Sequence, residues 1–231
     1  MQNYDYINIF WQFSQGIWQT LVVTISCFLT GIGVGLTAVS LRWTLPWSGR
    51  LLDIFTFILR AIPILVLVFL VYFGMPLLGF KLSPFVTMNA TLGLVTGANL
   101  AEVFRGALLS IDSSELLAAK SMGMSPWQVL VCIAIPQMLR FSFPGAINEF
   151  TSTLKNSPFA CVIGISELTR HGTTLTSTIN HGLQIYLTIG ILYFIIPSFR
   201  RLRSQNLYFE IKNLILDVYF ASEFRNLHFY A

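Results

Sequence analysis

The sequence predicts an all-α fold, a polytopic membrane helical bundle with five transmembrane helices. Three observations carry that reading. Mean hydropathy is +0.69, and 55% of residues are hydrophobic while 10% are charged, well below the roughly one quarter charged in soluble domains. A chain of 231 residues suits one membrane domain of roughly five spans, because each span takes about 20 residues. The basic residues then fall on alternate loops, as the positive-inside bias requires.

The first span is expected at 17–41, within a stretch that has no charge between Asp5 and Arg42. Its Gly31, Gly33 and Gly35 are expected to let another helix approach closely. Arg42 and Arg50 flank a short loop carrying Pro46, and a second span at 54–73 holds one charge, Arg60. Pro76, Gly79, Lys81 and Pro84 punctuate the next loop. A third span is expected at 85–109, with Glu102 and Arg105 near its end; at a spacing of three they can pair on one helix face as a structural ion pair. Residues 121–139 also lack charge, but Gly123, Ser125, Pro126, Gln128, Pro136 and Gln137 interrupt them, so they read as loop rather than span. The fourth span is expected to start near Phe143 and break near Pro158. The fifth, at 183–199, stops at Arg200, Arg201 and Arg203. Residues 1–203 thus make the transmembrane domain, with a polar loop at about 112–140, and 204–231 make a tail. In that tail Ile211, Leu214, Ile215, Val218 and Tyr219 have helical spacing; an interfacial amphipathic helix and a disordered segment fit it equally.

With the N-terminus outside, the inner segments hold Arg42, Arg50, Arg105, Lys120, Arg140, Arg200, Arg201 and Arg203, and the outer ones only Lys81 and Arg170. This predicts an external N-terminus, a cytoplasmic C-terminus and a cytoplasmic loop at 115–140. No cleavable signal is expected, because 1–15 lacks a basic start followed by an apolar core. The basic residues are too scattered for nucleic acid. Cys27, Cys132 and Cys161 have neither paired nor metal-ligand spacing and read as packed thiols. His171 and His181, among Thr173, Thr174, Thr176 and Thr178, read as solvated residues of an outer loop; a metal site needs more ligands at closer spacing, and none is expected. No nucleophile–base cluster points to an enzyme. No Gly-rich phosphate loop exists, so nucleotide must bind on another protein.

The most informative stretch is ELLAAKSMGMSPWQVLVCIAIPQMLR, 115–140. From Ala118 and Ala119 it runs three residues to Gly123, then nine to Ile133-Ala134-Ile135-Pro136. Singly these have ordinary explanations: the glycine lets the chain turn and the proline begins a helix. Jointly, the spacing resembles the signature loop of importer-type ABC transporter permeases, E-A-A-x3-G-x9-I-x-L-P. Further blocks resemble the polar amino acid permeases of the histidine/glutamine type: ILRAIPILVLVFLVYFGMP (58–76), GANLAEVFRGALLSI (97–111) and NEFTSTLKNSPFACVIGISELT (148–169). The likeness covers about 14–203. It implies a bundle like that of a type I ABC importer permease, translocating a polar amino acid by alternating access. It also implies partners: a dimer of ATPase subunits, a second permease subunit (identical or homologous), and an extracytoplasmic solute-binding protein at a bacterial inner membrane. ATP and Mg would sit on the ATPase, with no cofactor on this chain. The ATPase-coupling residues implied are Leu117, Ala118, Ala119, Gly123, Met124, Ser125, Ile133 and Pro136. Leu117 stands where the family has glutamate, and the nearest acid is Glu115. Docking then rests on shape and apolar contact.

Charges inside a span are costly and are usually functional or paired. Counted from Phe143, Lys155 lies 12 residues along the fourth span, about 18 Å into a core of about 30 Å. Asn156, Ser157 and Pro158 follow, where relatives carry an aspartate and a Thr-Ser pair. A helix broken at mid-depth beside polar side chains is how transporters build solute sites, which makes Lys155, Asn156 and Ser157 candidate pathway residues; a purely structural ion pair for Lys155 is the competing reading. Glu149 is the weaker candidate partner, since six residues put it on another face. Arg60 either snorkels or faces a dimer seam, a structural role. Two other classes compete with a permease. An ion-gradient carrier would show an ion site or internal repeats, which are not seen, and an assembly scaffold has no distinguishing sequence mark.

Overall fold

The structure, a computed structural model, describes residues 6–45, 47–178 and 182–196. The chain divides into two compact units, Met1–Gly190 and Ile191–Ala231; of the second, 191–196 are described, as helix. Pro46, His181, the basic cluster at 200–203 and the tail at 204–231 lie outside the described residues.

All regular structure among the described residues is helical. Helix α1, Tyr6–Thr44, is 39 residues long, about 58 Å at 1.5 Å per residue. Helix α2 (Ser48–Ala61) and helix α3 (Ile64–Gly74), with a 3-10 turn at Met75–Leu78, follow. The second span, expected as one segment at 54–73, is instead two helices: Ser48–Ala61 and Ile64–Leu78 meet at 98°. Pro63 causes this, because its ring excludes the helical conformation from the preceding residue, and Ile62 sits at φ −86°, ψ 129°. Helix α4, Pro84–Met88, starts at a Ser83 cap and runs through a π turn, Asn89–Gly93, into α5, Leu94–Leu109. This rod matches the expected third span.

Helix α6, Ser113–Ser121, follows a short turn. Then α7 (Pro126–Val129), a π turn (Leu130–Ala134), α8 (Ile135–Asn156) and a 3-10 segment (Ser157–Ile163) form one rod, Pro126–Ile163. Here two expectations are corrected. The rod starts at Pro126, not near Phe143, so much of 121–139 is helix. Pro136 does not begin it: the π turn just before gives the ring room that a regular turn would deny. The break expected near Pro158 takes the form of a change of coil: the α-helix ends at Asn156 and the rod tightens to 3-10 coil until Gly164, at φ +94°.

Helix α9, Leu168–Thr178, and helix α10, Gly182–Ile196, complete the described chain. The Thr-rich stretch expected as loop is helix from Leu168 because buried Glu167 caps it, accepting N–H bonds from Thr169 (2.8 Å) and Arg170 (2.9 Å). Its threonine hydroxyls fold back onto helix carbonyls, Thr173 on Arg170 and Thr176 on Gly172. Three rods, Ile7–Thr44, Pro84–Leu109 and Pro126–Ile163, are long and apolar enough to cross a membrane. The bent pair makes a fourth candidate, and α10 is a shorter apolar helix.

The centre of the fold is the crossing of α1 and α5. A side chain at Gly31 would put its Cβ 2.6 Å from Thr96 Cγ2, and one at Gly97 would meet Val34 Cβ at 2.6 Å. With no water to drive helices together in lipid, such close backbone approach supplies the packing. Gly35 lies against Leu100 and Ala101, but Gly33 faces open space, so two of the three expected glycines serve this contact. Below it, Val39, Leu100, Phe104, Leu130, Ala134 and Met138 are buried together, joining α1, α5 and the Pro126 rod.

Candidate coupling segment and solute pathway

The segment after α5 is built from three local devices. Asp112 Oδ1 accepts the Ser114 N–H at 2.9 Å and caps α6. That backbone bond, and then the Ser114 hydroxyl, hold the Asp112 carboxyl below its ordinary range. At the other end Gly123 takes φ +81°. Gly123 N–H bonds Lys120 O at 3.0 Å and Met124 N–H bonds Ala119 O at 3.2 Å, the paired closure of a Schellman turn. Ser125 then caps α7 in a full capping box with Gln128, beside Pro126 at the first turn.

These devices sort the sequence-predicted residues by exposure. Leu117 and Ala118 point outward, as do Met122 and Trp127, while Ala119 is buried and Met124 half-buried. Ile133 is half-buried within the π turn and Pro136 exposed beyond it. The segment is fastened to the rods in two places. Trp43 Nε1, at the end of α1, donates to Pro126 O at 3.2 Å. Gln137 Nε2, on α8, donates to Glu115 Oε2. The acid nearest Leu117 in sequence is thus engaged within the chain. Neither tie has a sequence signal, as the partners are 83 and 22 residues apart.

The polar residues along the Pro126–Ile163 rod separate. Glu149, half-buried, accepts a hydrogen bond from Asn99 Nδ2 of α5 at 2.8 Å, and Arg60, at the end of α2, lies within its electrostatic reach. The hydrogen-bond partner of Glu149 is therefore on α5. Lys155 is exposed and makes no ion pair among the described residues. The rod that carries it begins before Phe143: Lys155 stands 29 residues beyond Pro126 (155 − 126), about 44 Å, and the seven-residue 3-10 segment, about 14 Å, separates it from Gly164. Asn156 is half-buried at the end of α8. Ser157 is buried, its hydroxyl donating to Leu154 O at 2.8 Å.

Glu102 and Arg105 pair on α5: Arg105 Nε and Nη2 both donate to Glu102 Oε2, at 3.0 and 2.8 Å. A second pair was not anticipated, Arg42 Nη2 on Asp53 Oδ2 at 2.8 Å. Of the thiols read as packed, Cys27 is buried but Cys132 is exposed. Its position on the π turn of a lipid-length rod makes exposure costless for a small apolar group.

Comparison with known proteins bears on this arrangement. The model of the family described as "binding-protein-dependent transport system inner membrane component" matches residues 28–207. The L-cystine transport system permease protein TcyL of Bacillus subtilis is 32% identical over 183 residues, 76% of this chain and 77% of the relative. The glutamine transport system permease protein GlnP of Escherichia coli K12 is 29% identical over 185 residues, 79% of this chain and 84% of the relative. The crystal structure of an amino acid ABC transporter with histidines superposes with a TM-score of 0.77 at 25% identity, over 89% of this chain and 97% of the other.

Proposed function

The chain belongs to the binding-protein-dependent transport system inner membrane component family, as a permease of the ABC importer type, and from that premise we propose that its solute is a polar amino acid. The observation that carries this reading is Glu149 of α8, half-buried in the bundle and held at 2.8 Å by Asn99 of α5. An amino acid presents an ammonium group, and a positioned carboxylate within a bundle matches it. The guanidinium of Arg60, at the end of α2, is the candidate for the solute carboxylate. Relatives named for cystine, glutamine and nopaline support the same solute class. In this reading Lys155 and Asn156 extend the polar lining along the Pro126–Ile163 rod.

In this reading α6 and the turn at Gly123 dock into an ATPase subunit. The exposed Leu117, Ala118 and Met122 offer an apolar surface, and Glu115 stiffens the docked helix through Gln137. ATP and Mg reside on that partner. Two permease subunits, identical or homologous, two ATPase subunits and a solute-binding protein form the importer, in a bacterial cytoplasmic membrane with this chain's N-terminus outside and C-terminus inside. Motion of α6 reaches the pathway through the Trp43–Pro126 and Glu115–Gln137 ties, because both join the docking segment to rods that carry or flank Glu149.

The test is reconstitution of the importer in liposomes with ATP inside the ATPase-accessible compartment. Uptake of labelled amino acids should need ATP, the ATPase and the binding protein together. Uptake driven by an ion gradient without ATP, or none across a panel of polar amino acids, would refute the reading. Cysteine placed at Ser125 should react with an impermeant reagent only after permeabilisation; labelling of intact cells would invert the topology.

A further inference from the structure

The seam between α5 and α8 has three rungs, of which solute recognition as described uses one. A side chain at Gly145 of α8 would put its Cβ 2.6 Å from Val103 Cγ1 of α5, so the two helices lie close there. One turn along, Asn99 Nδ2 donates to Glu149 Oε1 at 2.8 Å. One turn further, Thr96 Oγ1 and Thr153 Oγ1 lie 3.0 Å apart, each residue only 1% exposed. The rungs run 145, 149, 153 on α8 against 103, 99, 96 on α5. Steps of three or four keep each series on one helix face, and the opposite order makes the two helices antiparallel. Counting protons fixes the direction of the third rung. Thr153 Oγ1 also bonds the Glu149 carbonyl at 2.9 Å, and a carbonyl only accepts, so the single Thr153 proton goes there. Thr96 is then the donor to Thr153. The backbone of Glu149 is therefore held by a hydroxyl that α5 orients, and its carboxylate by an amide of α5. Asparagine is a neutral donor, so it fixes the carboxylate without cancelling its charge. It takes Oε1, and Oε2 accepts no hydrogen bond among the described residues. Buried hydroxyl pairs act as helix glue in lipid; this pair also reaches the residue that faces solute.

We infer that Thr96, Thr153 and Asn99 are positioning residues for solute recognition: they clamp Glu149 by backbone and side chain, so that its free oxygen meets the solute ammonium. The inference rests on the amino-acid reading for its solute but not for the clamp, and the experiment separates the two. A binding protein would dominate the KM of uptake, so affinity is measured directly, by equilibrium dialysis of radiolabelled L-glutamine and L-cystine against the permease–ATPase complex in lipid nanodiscs. Thr96→Val keeps the volume and removes only the α5 hydroxyl. It should raise Kd about 3-fold, the size of one interhelical hydrogen bond in a membrane. Asn99→Leu should raise it about 3- to 10-fold. Thr153→Ser, which keeps the hydroxyl, should bind like the parent, and Thr153→Val should not. In a Glu149→Gln background, itself weakened, neither Thr96→Val nor Asn99→Leu should cost more, whereas a general packing defect adds in both backgrounds. Additive losses, or a Thr96→Val variant that binds like the parent while Glu149→Gln is weak, would overturn the inference. Should Asn99→Leu fail to assemble, the volume-conserving Thr96→Val carries the test. An unchanged Kd in Glu149→Gln, or a parent that binds neither amino acid, would refute the solute reading alone. The clamp is then decided by spin labels at Leu109 on α5 and Asn148 on α8, both exposed, with the native cysteines replaced. The distance distribution should be narrow in the parent and in Thr153→Ser, and broaden in Thr96→Val and Asn99→Leu; an unchanged distribution would overturn the clamp.

Discussion

Replacing Gly123 should separate coupling from folding. The residue holds φ +81°, and a Cβ built there meets no atom within 4 Å. The penalty for a side chain is therefore conformational, with no clash to relieve. For alanine the left-handed conformation costs about 1–2 kcal/mol, equivalent to about 5- to 30-fold in the population of the turn. Asparagine tolerates this region better, and valine, branched at Cβ, worse. The expected order of ATPase association and of ATP-driven uptake is Gly, then Asn, then Ala, then Val. Hydrogen exchange at 113–121 should accelerate in the same order, because the bonds from Gly123 to Lys120 and from Met124 to Ala119 depend on the turn. Thermal unfolding of the purified chain should hardly move, since nothing of the buried core touches this glycine. Equal uptake for glycine and valine would refute the argument, and so would a valine variant that unfolds as a whole.

Gly97→Leu should do the opposite: its Cβ alone would reach Val34 at 2.6 Å, so overpacking of about 1–3 kcal/mol should lower the thermal midpoint of the chain in detergent before any coupling is measured. Ser125→Ala removes the cap of α7 and should cost about 0.5–2 kcal/mol, seen as faster exchange near 126–130 with little change in global unfolding. Lys155→Met should reduce solute-stimulated uptake while basal ATPase activity and assembly persist; loss of assembly would make Lys155 a structural residue. Asp112, whose carboxyl titrates below its ordinary range, caps α6 fully above about pH 4. Protection of α6 should fall as pH drops through the depressed value, and Asp112→Asn should abolish that pH dependence.

What was legible in the sequence was legible for local reasons. Long apolar runs fixed the rods, Gly31 and Gly35 marked a close crossing, and the turn at Gly123 was legible because glycine lets a chain turn between two helical stretches. The misses came from hydropathy's blindness to direction. An apolar run continues through Ile62–Pro63 whether the helix turns by 98° or not. Pro136 reads as a helix start because prolines usually stand there, and π turns have no compositional mark of their own. Pairs such as Asn99–Glu149, 50 residues apart, appear only when α5 and α8 cross. Arg42–Asp53 is only 11 apart, but it needs the chain to reverse between α1 and α2.

The π turns have a consequence for how such a chain tolerates length changes. Each adds about one residue to a turn of the rod that contains it, at Asn89–Gly93 and Leu130–Ala134. Deleting one residue within 89–93 would let the rod rewind as plain α-helix, because the wide turn spends its extra residue on the same rotation, and Gly97 and Asn99 would keep their phase relative to α4. The same loss in the regular α-helical part of a rod has no spare residue to give up and turns everything beyond it by about 100°. The two wide turns are therefore slack built into otherwise stiff rods: a residue can leave them while Gly97 stays against Val34 and Asn99 against Glu149.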